Sequence, residues 1–185
     1  YWKEQGATII AQRDTAAYME KTGYDVLETM RSRARDKAFK TEFVMPDKLY
    51  DDRLDLNMGS WNLQILHLGS SHSHGDTMVW LPGEKLVIAG DTAFHIRMLP
   101  IFEDTDTAKW IETWDKFEAL GARIVIPGHG GPTDMATVRK WTGDYLVHLR
   151  AKVAEVIKNG GSLDDAYQVD QSAYMHLYTA DELAR

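Results

Sequence analysis

The stretch 68–91, LGSSHSHGDTMVWLPGEKLVIAGD, limits what this chain can fold into more than any other. It opens on His72-Ser73-His74-Gly75-Asp76 and closes on Gly90-Asp91, with two apolar, strand-like segments, 77–81 and 85–89, in between. Pro82-Gly83-Glu84 joins the two: proline pre-sets φ for a turn, and glycine tolerates the conformations needed to close it. A hairpin of that length brings its ends together. His72 and Asp91 are therefore expected to face one point in space, as metal ligands would.

The rest of the chain predicts the elements around this hairpin. Residues 7–12 read as a short buried strand. Asp14 reads as the N-cap of a short helix, 15–21, ended at Gly23. A second helix is expected from about 24 to 39, with Val26, Leu27, Met30, Ala34 and Ala38 at helical spacing. Segments 54–58 and 61–68 alternate apolar and polar residues about Gly59-Ser60, the period-two pattern of a sheet with one buried face. Residues 93–105 read as a loop.

Asp106 or Thr107 then caps a helix whose stripe is Trp110, Trp114 and Phe117 and whose stop is Gly121. Residues 124–126 form a brief buried strand running into Pro127-Gly128-His129-Gly130. Asp134 caps a long amphipathic helix to Lys158, with Val138, Trp141, Tyr145, Leu149, Val153 and Val156 inside. Segments 163–168 and 180–184 are weaker helical pieces. The tryptophans at helical spacing read as core. No repeat or linker interrupts the 185 residues, enough for one domain. Hairpins followed by helix–strand–helix predict a mixed α/β (α+β) fold, with helices on the outer face of a sheet.

Composition removes several function classes. There is no cysteine, which excludes a disulfide framework, a Cys-ligated zinc and a Cys nucleophile. The formal charge of −7 lacks the basic footprint of a nucleic-acid binder, and the run of Arg31, Arg33 and Arg35 reads as a solvated helix face. No apolar run approaches the ~20 residues of a membrane span. The expected partner is a small-molecule substrate, with neither nucleic acid nor membrane. Compartment and oligomeric state are not legible.

Three short motifs carry the chemistry: Ser71-His72-Ser73-His74-Gly75-Asp76, Gly90-Asp91-Thr92 and Pro127-Gly128-His129-Gly130. Each is expected to place a His or Asp just past a strand in a glycine-rich loop, where the backbone bends sharply and a substrate can approach. Imidazole and carboxylate suit zinc, and a carboxylate can bridge two ions. His72, Asp91 and His129 are thus the candidate ligands. Asp76 and His74 are expected to support them from behind, Asp76 by holding the loop through hydrogen bonds. His95 is expected to line the pocket and contact substrate. His67 reads as a satisfied sheet residue and His148 as outward-facing; His176 is only a minor candidate for the site mouth.

On these motifs, in this order, the sequence resembles the metallo-β-lactamase-fold hydrolase superfamily over roughly residues 7–149. In that family a His in an H-[ST]-x-G-[DS] loop completes the first metal site, matching His72. A Gly-Asp after the next hairpin supplies the bridging carboxylate, matching Asp91. A Pro-Gly-His-Gly supplies a ligand to the second metal, matching His129. The resemblance implies an αββα sandwich with two divalent metal ions, zinc foremost and Fe or Mn as options. It also implies a hydroxide held between the metals that attacks an ester, thioester, lactam or related small substrate.

The family's first motif, His-x-His-x-Asp-His, is absent. The nearest run, 72–77, lacks the last His and enters a hairpin instead of a helix. Residues 1–185 are therefore expected to be one domain of this type, N-terminally incomplete, which alone would hold metal poorly because three protein ligands are the usual minimum. The family's general acid/base Asp lies in the missing motif, so none is assigned. The absence of cysteine argues against lactamase branches with a Cys ligand and leaves a thioester or small-ester hydrolase as the best fit. Two other classes stand beside it: a non-catalytic sandwich module that has lost its metals, and a di-iron oxidoreductase of the same fold, since similar ligands hold iron.

Overall fold

Gly23, expected to stop a helix, lies in the middle of one. The computed structural model of the protein describes residues 1–174 and residue 177, so His176 and segment 180–184 lie outside the described residues. The chain forms two units, residues 1–53 and the residues from 54 onward. In the first, strand β1 (Ile10–Gln12) pairs in parallel with β2 (Lys48–Tyr50). Parallel pairing needs a crossover, and helix α1 (Arg13–Ala34) provides it.

Three sequence expectations fail in this unit. The N-cap is Gln12, whose side chain accepts from the backbone N–H of Asp14 and Thr15; Asp14 does not cap. The helix continues through Gly23 because that bare Cα is a packing site: a Cβ there would stand 2.8 Å from Cδ2 of the Phe43 ring. Leu27 and Ala38 are buried, but Val26 and Met30 are 53% and 46% exposed, so the apolar spacing overstates the buried face.

The second unit is built on one sheet, ordered β3 (Arg53–Met58), β4 (Trp61–Leu66), β5 (Met78–Leu81), β6 (Leu86–Phe94) and β7 (Ile124–His129). Neighbours from β4 to β6 run antiparallel. β7 joins β6 in parallel after the crossover helix α2 (Thr107–Ala119). Met58 and Trp61 are exposed, so the one-sided burial expected of the β3–β4 hairpin develops only toward Leu66. In the β5–β6 turn the left-handed residue is Lys85, at φ +49°, and not Gly83. Its carbonyl is held by the N–H groups of Arg123 and Ile124, which anchors the turn to the start of β7.

Met78, Trp80, Val87, Phe117, Val125 and Val138 fill the space between sheet and helices. Helix α2 begins and ends as predicted: Asp106 accepts from the N–H of Ala108 and Lys109, and Gly121 takes φ +65° beyond the last turn. The long C-terminal helix is interrupted. Asp134 caps α3 (Met135–Val138), a π-helical turn comes next at Arg139–Gly143, and α4 (Asp144–Lys158) continues.

The extra residue of the π turn shifts the helical phase. Leu146, outside the predicted stripe, is therefore fully buried, while Val153 and Val156 are only half-buried. Gly143 sits where a Cβ would stand 2.6 Å from Nε1 of Trp114. The short helix α5 (Leu163–Tyr167) starts at a Ser162/Asp165 capping box. His148 does not face outward: it is half-buried, with Nε2 3.1 Å from the Asp170 carbonyl. Among the described residues no helix is long and apolar enough to cross a membrane.

Candidate metal centre

Strand β6 does not stop at Ala89 but runs through Asp91 to Phe94. Its register against β7 slips on both sides of Gly90, which pairs with Pro127, and recovers at Phe94, which pairs with His129. Asp91 and Thr92 lie in this irregular stretch, where a bulge re-aims a side chain. Asp91 thus sits inside a bulged strand, not after a strand as the motif reading expected. Gly128 makes this possible: a Cβ there would stand 2.8 Å from Gly90 C and 2.9 Å from Asp91 N, and closer still to the Asp91 carboxylate. The glycine of Pro-Gly-His lets two strands and one carboxylate share that space. His129 is the last residue of β7.

His72 lies in the loop after β4, and Asp76 organises that loop as predicted. Its carboxylate accepts from the Ser73 N–H at 2.8 Å and from the hydroxyls of Ser71 and Ser73. The Ser71 hydroxyl also lies 2.9 Å from that of Thr92. The residue before His72 is therefore tied to the residue after Asp91. His67 is satisfied, with Nδ1 2.9 Å from the Asp76 carbonyl. Thr105 donates to the His72 carbonyl at 3.2 Å.

Aromatic rings orient both imidazoles. His72 meets Phe94, Phe102 and Trp110 edge-on, at centroid distances of 5.9, 5.2 and 5.9 Å. His129 stacks on Phe94 at 5.2 Å and 16°. Trp110 donates from Nε1 to the Thr92 carbonyl at 3.1 Å, so this core residue also fixes the bulge. Phe94 is held in turn by Thr142, which accepts from its N–H at 2.9 Å and donates to its carbonyl at 3.2 Å. Sequence reasoning missed Phe94, Thr142 and Arg97. Ser71 and Thr92 carried a signal, as the first residue of Ser-His-Ser-His-Gly-Asp and the third of Gly-Asp-Thr, but no role.

The three candidate ligands converge. His72 Nε2 lies 3.9 Å from Asp91 Oδ2, and His129 Nε2 lies 3.5 Å from Asp91 Oδ1. Among the described residues no donor satisfies the Asp91 carboxylate, and His72 Nδ1 is buried without a partner. Two ligands bound tetrahedrally at ~2.0–2.2 Å stand roughly 3.3–3.6 Å apart. Both spacings are loose for a hydrogen bond; that of His129 falls within the range for two ligands on one cation, and that of His72 lies a few tenths of an ångström beyond it. The donor set fits divalent metal. Each position has only two donors, however: among the described residues no group of three His, Asp or Glu side chains is arranged to hold an ion.

The other histidines are not gathered in. His74, read as either a supporting or an exposed residue, is exposed, and it is its carbonyl, not its ring, that takes the Ser70 hydroxyl. His95 pairs through its N–H with the His129 carbonyl at 3.0 Å. Its Nδ1 lies 3.4 Å from the Gly131 carbonyl and its ring meets Trp141 edge-on at 5.7 Å. A Cβ on Gly130 would stand 2.8 Å from His95 C, so the second glycine of the motif admits the His95 backbone.

The sequence model of the metallo-beta-lactamase superfamily matches residues 2–129. The chain belongs to this superfamily. It is 31% identical over 123 residues to a type 2 metallo-beta-lactamase of Bacteroides fragilis, covering 63% of this chain and 49% of that protein. It is 23% identical over 132 residues to a linear primary-alkylsulfatase of a Pseudomonas strain, covering 66% of this chain and 25% of that protein. The chain thus spans half or less of the length of these curated relatives. A metallo-beta-lactamase from Pontibacter korlensis superposes with a TM-score of 0.63 at 18% identity, covering 79% of this chain and 60% of that one. The mixed α/β fold is the metallo-beta-lactamase fold, and members of this superfamily are mostly hydrolytic enzymes that bind divalent metals.

Proposed function

We propose that this chain belongs to a metal-dependent hydrolase, with His72, Asp91 and His129 as metal ligands. The observation that carries the reading is the Asp91 carboxylate, each of whose oxygens faces a different imidazole at 3.9 and 3.5 Å with no other donor among the described residues. A carboxylate so placed would hold a divalent cation together with either imidazole. Zinc is the foremost candidate for this mixture of imidazole and carboxylate, with iron or manganese next. When bound, such ions lower the pKa of a coordinated water and polarise the bond to be cleaved.

The chain's own residues supply the rest. Asp76, Ser71 and Ser73 hold the His72 loop; Phe94 keeps both imidazoles in place; Gly128 leaves room for the Asp91 carboxylate. His95, whose N–H pairs with the His129 carbonyl, is the substrate contact we propose beside the centre. The reaction is hydrolysis of a small ester, thioester, lactam or related compound, a range suggested by relatives named as a lactamase and an alkylsulfatase. No nucleic acid or membrane takes part.

Metal analysis of the full-length protein, with and without His129→Ala, tests the reading. The substitution should remove metal from one of two sites and lower ester turnover strongly. Unchanged metal content and rate would rule His129 out as a ligand. Redox-active iron without ester turnover would instead support the oxidative branch, and a metal-free protein the non-catalytic module.

A further inference from the structure

Helix α2 does more than carry the chain from β6 to β7. Trp110, Thr113 and Lys116 succeed one another at three-residue steps along one side of it, and each donates to a backbone carbonyl outside the helix. Trp110 Nε1 reaches the Thr92 carbonyl at 3.1 Å, Thr113 Oγ1 the Ser70 carbonyl at 2.7 Å, and Lys116 Nζ the Leu68 carbonyl at 2.9 Å. Thr92 directly follows Asp91, whereas Leu68 and Ser70 lie on the chain that leads into His72. Thr113 is the polar member of a buried face: it is 2% exposed, among Trp110, Trp114 and Phe117. Valine has nearly the same shape, so packing does not call for the hydroxyl; the Ser70 carbonyl does.

The chain is bent to lie against the helix at this point. Gly69, between the two held carbonyls, takes φ +137°, and a Cβ on it would stand 2.5 Å from Thr113 Oγ1. A side chain there would push the loop off α2 and part both hydrogen bonds. The contacts close into a ring. It runs from α2 through Thr113 to the Ser70 carbonyl, across one peptide unit to Ser71, and from the Ser71 hydroxyl to that of Thr92 at 2.9 Å. From the Thr92 carbonyl it returns through Trp110 to α2. His72 follows Ser71 and Asp91 precedes Thr92, so both are attached to this ring by adjacent residues. His129 is not: it stacks on Phe94, and Arg97 Nη1 lies 3.1 Å from its Nδ1.

We infer that Thr113 is a positioning residue of the centre, assisted by Lys116. By holding the carbonyls ahead of His72 against α2, it sets the place of that imidazole relative to Asp91. The inference rests on the metal-ligand reading only where metal affinity is measured; the placing of His72 stands apart from it.

The test uses the full-length protein with Thr113→Val, which keeps the shape and removes the donor, Thr113→Ser, which keeps the donor, and Lys116→Met. In the metal-free protein, carbethoxylation of each histidine by diethyl pyrocarbonate is followed by peptide mass spectrometry. Thr113→Val should speed modification of His72 several-fold and leave His129 and His148 at their wild-type rates. Its zinc affinity, read by competition with a chromophoric chelator, should fall about 10–100-fold, as for other groups that orient ligands. Thr113→Ser should recover most of both effects. Lys116→Met, at the exposed end of the row, should move both readouts the same way but less, and it decides the matter if Thr113→Val does not fold. An unchanged His72 rate together with unchanged zinc affinity in Thr113→Val overturns the inference. So do equal accelerations at His72, His129 and His148, which mark a general loosening of the fold. If wild type binds no zinc while Thr113→Val still speeds His72 alone, the positioning role holds and the metal reading fails.

Discussion

Replacing Gly128 by alanine adds one methyl group where β7 passes the bulge of β6. Gly128 does not occupy the left-handed region, so alanine brings no backbone strain and the effect is purely steric. The new Cβ would stand 2.8 Å from Gly90 C and 2.9 Å from Asp91 N. Carbon contacts are comfortable at roughly 3.5 Å, so the two strands must part by roughly 0.6–0.7 Å, and the carboxylate, nearer still, must move further. Overpacking of this kind costs about 1–3 kcal/mol. Each kcal/mol lowers Tm by about 2–4 °C in a chain of this size.

The functional loss should exceed the loss of stability. A displacement of ~1 Å at a reacting centre costs about 10²-fold in rate, and the displaced group is the one that faces both imidazoles. Metal content by mass spectrometry, ester turnover and a thermal melt on the full-length protein would measure both effects. Gly131→Ala is the control, because a Cβ there meets nothing within 4 Å and the backbone is again unstrained. If Gly128→Ala retained wild-type metal content and rate, the claim that this glycine exists to seat Asp91 would be wrong.

Three other outcomes are expected from the same geometry. Asp76→Ala removes the acceptor that gathers Ser71 and Ser73 under His72; metal affinity should drop about 10–100-fold, as for other groups that orient ligands, and an unchanged dialysis half-life for the metal would contradict this. Thr142→Val strands the N–H and carbonyl of Phe94 at a cost of about 1–3 kcal/mol, to be read from denaturant melts; a change below a few tenths would show that the π turn does not support the site. Asp106 and Asp134 are held below the usual carboxylate range, first by the backbone N–H of Lys109 and of Thr137 respectively. Their contribution is present above the ordinary value near 3.8 and is lost as pH falls through the lowered one. The Asp106→Asn, Asp134→Asn double variant should therefore show a flatter loss of Tm between neutral pH and about pH 3, and an acid limb identical to wild type would refute it.

The residues that the fold brings together were legible in the chain because imidazoles and carboxylates beside glycines stand out by residue type. His72, Asp91 and His129 stood out in this way, and so did Asp76, whose serine neighbours are its hydrogen-bond partners. Arg97 was not legible. Nothing in its neighbours announces that Ile96 will take a positive φ and turn it onto His129. His74 is left exposed, because in the loop only His72 is turned inward.

Helix caps at Asp106 and Asp134, the stop at Gly121 and the alternating strands depend on neighbours within a few residues, and local chemistry was enough to read them. Gly23, Gly128 and Gly143 depend on residues far away along the chain: Phe43, Gly90 with Asp91, and Trp114. From the chain alone a glycine reads as a stop or a hinge. Only when distant segments pack against it does its missing side chain become a place for a ring or a carboxylate. The parallel pairing of β6 with β7, which brings Asp91 and His129 together, is of this second kind, because it is settled by how α2 packs its tryptophans against the sheet and not by any pattern within either strand.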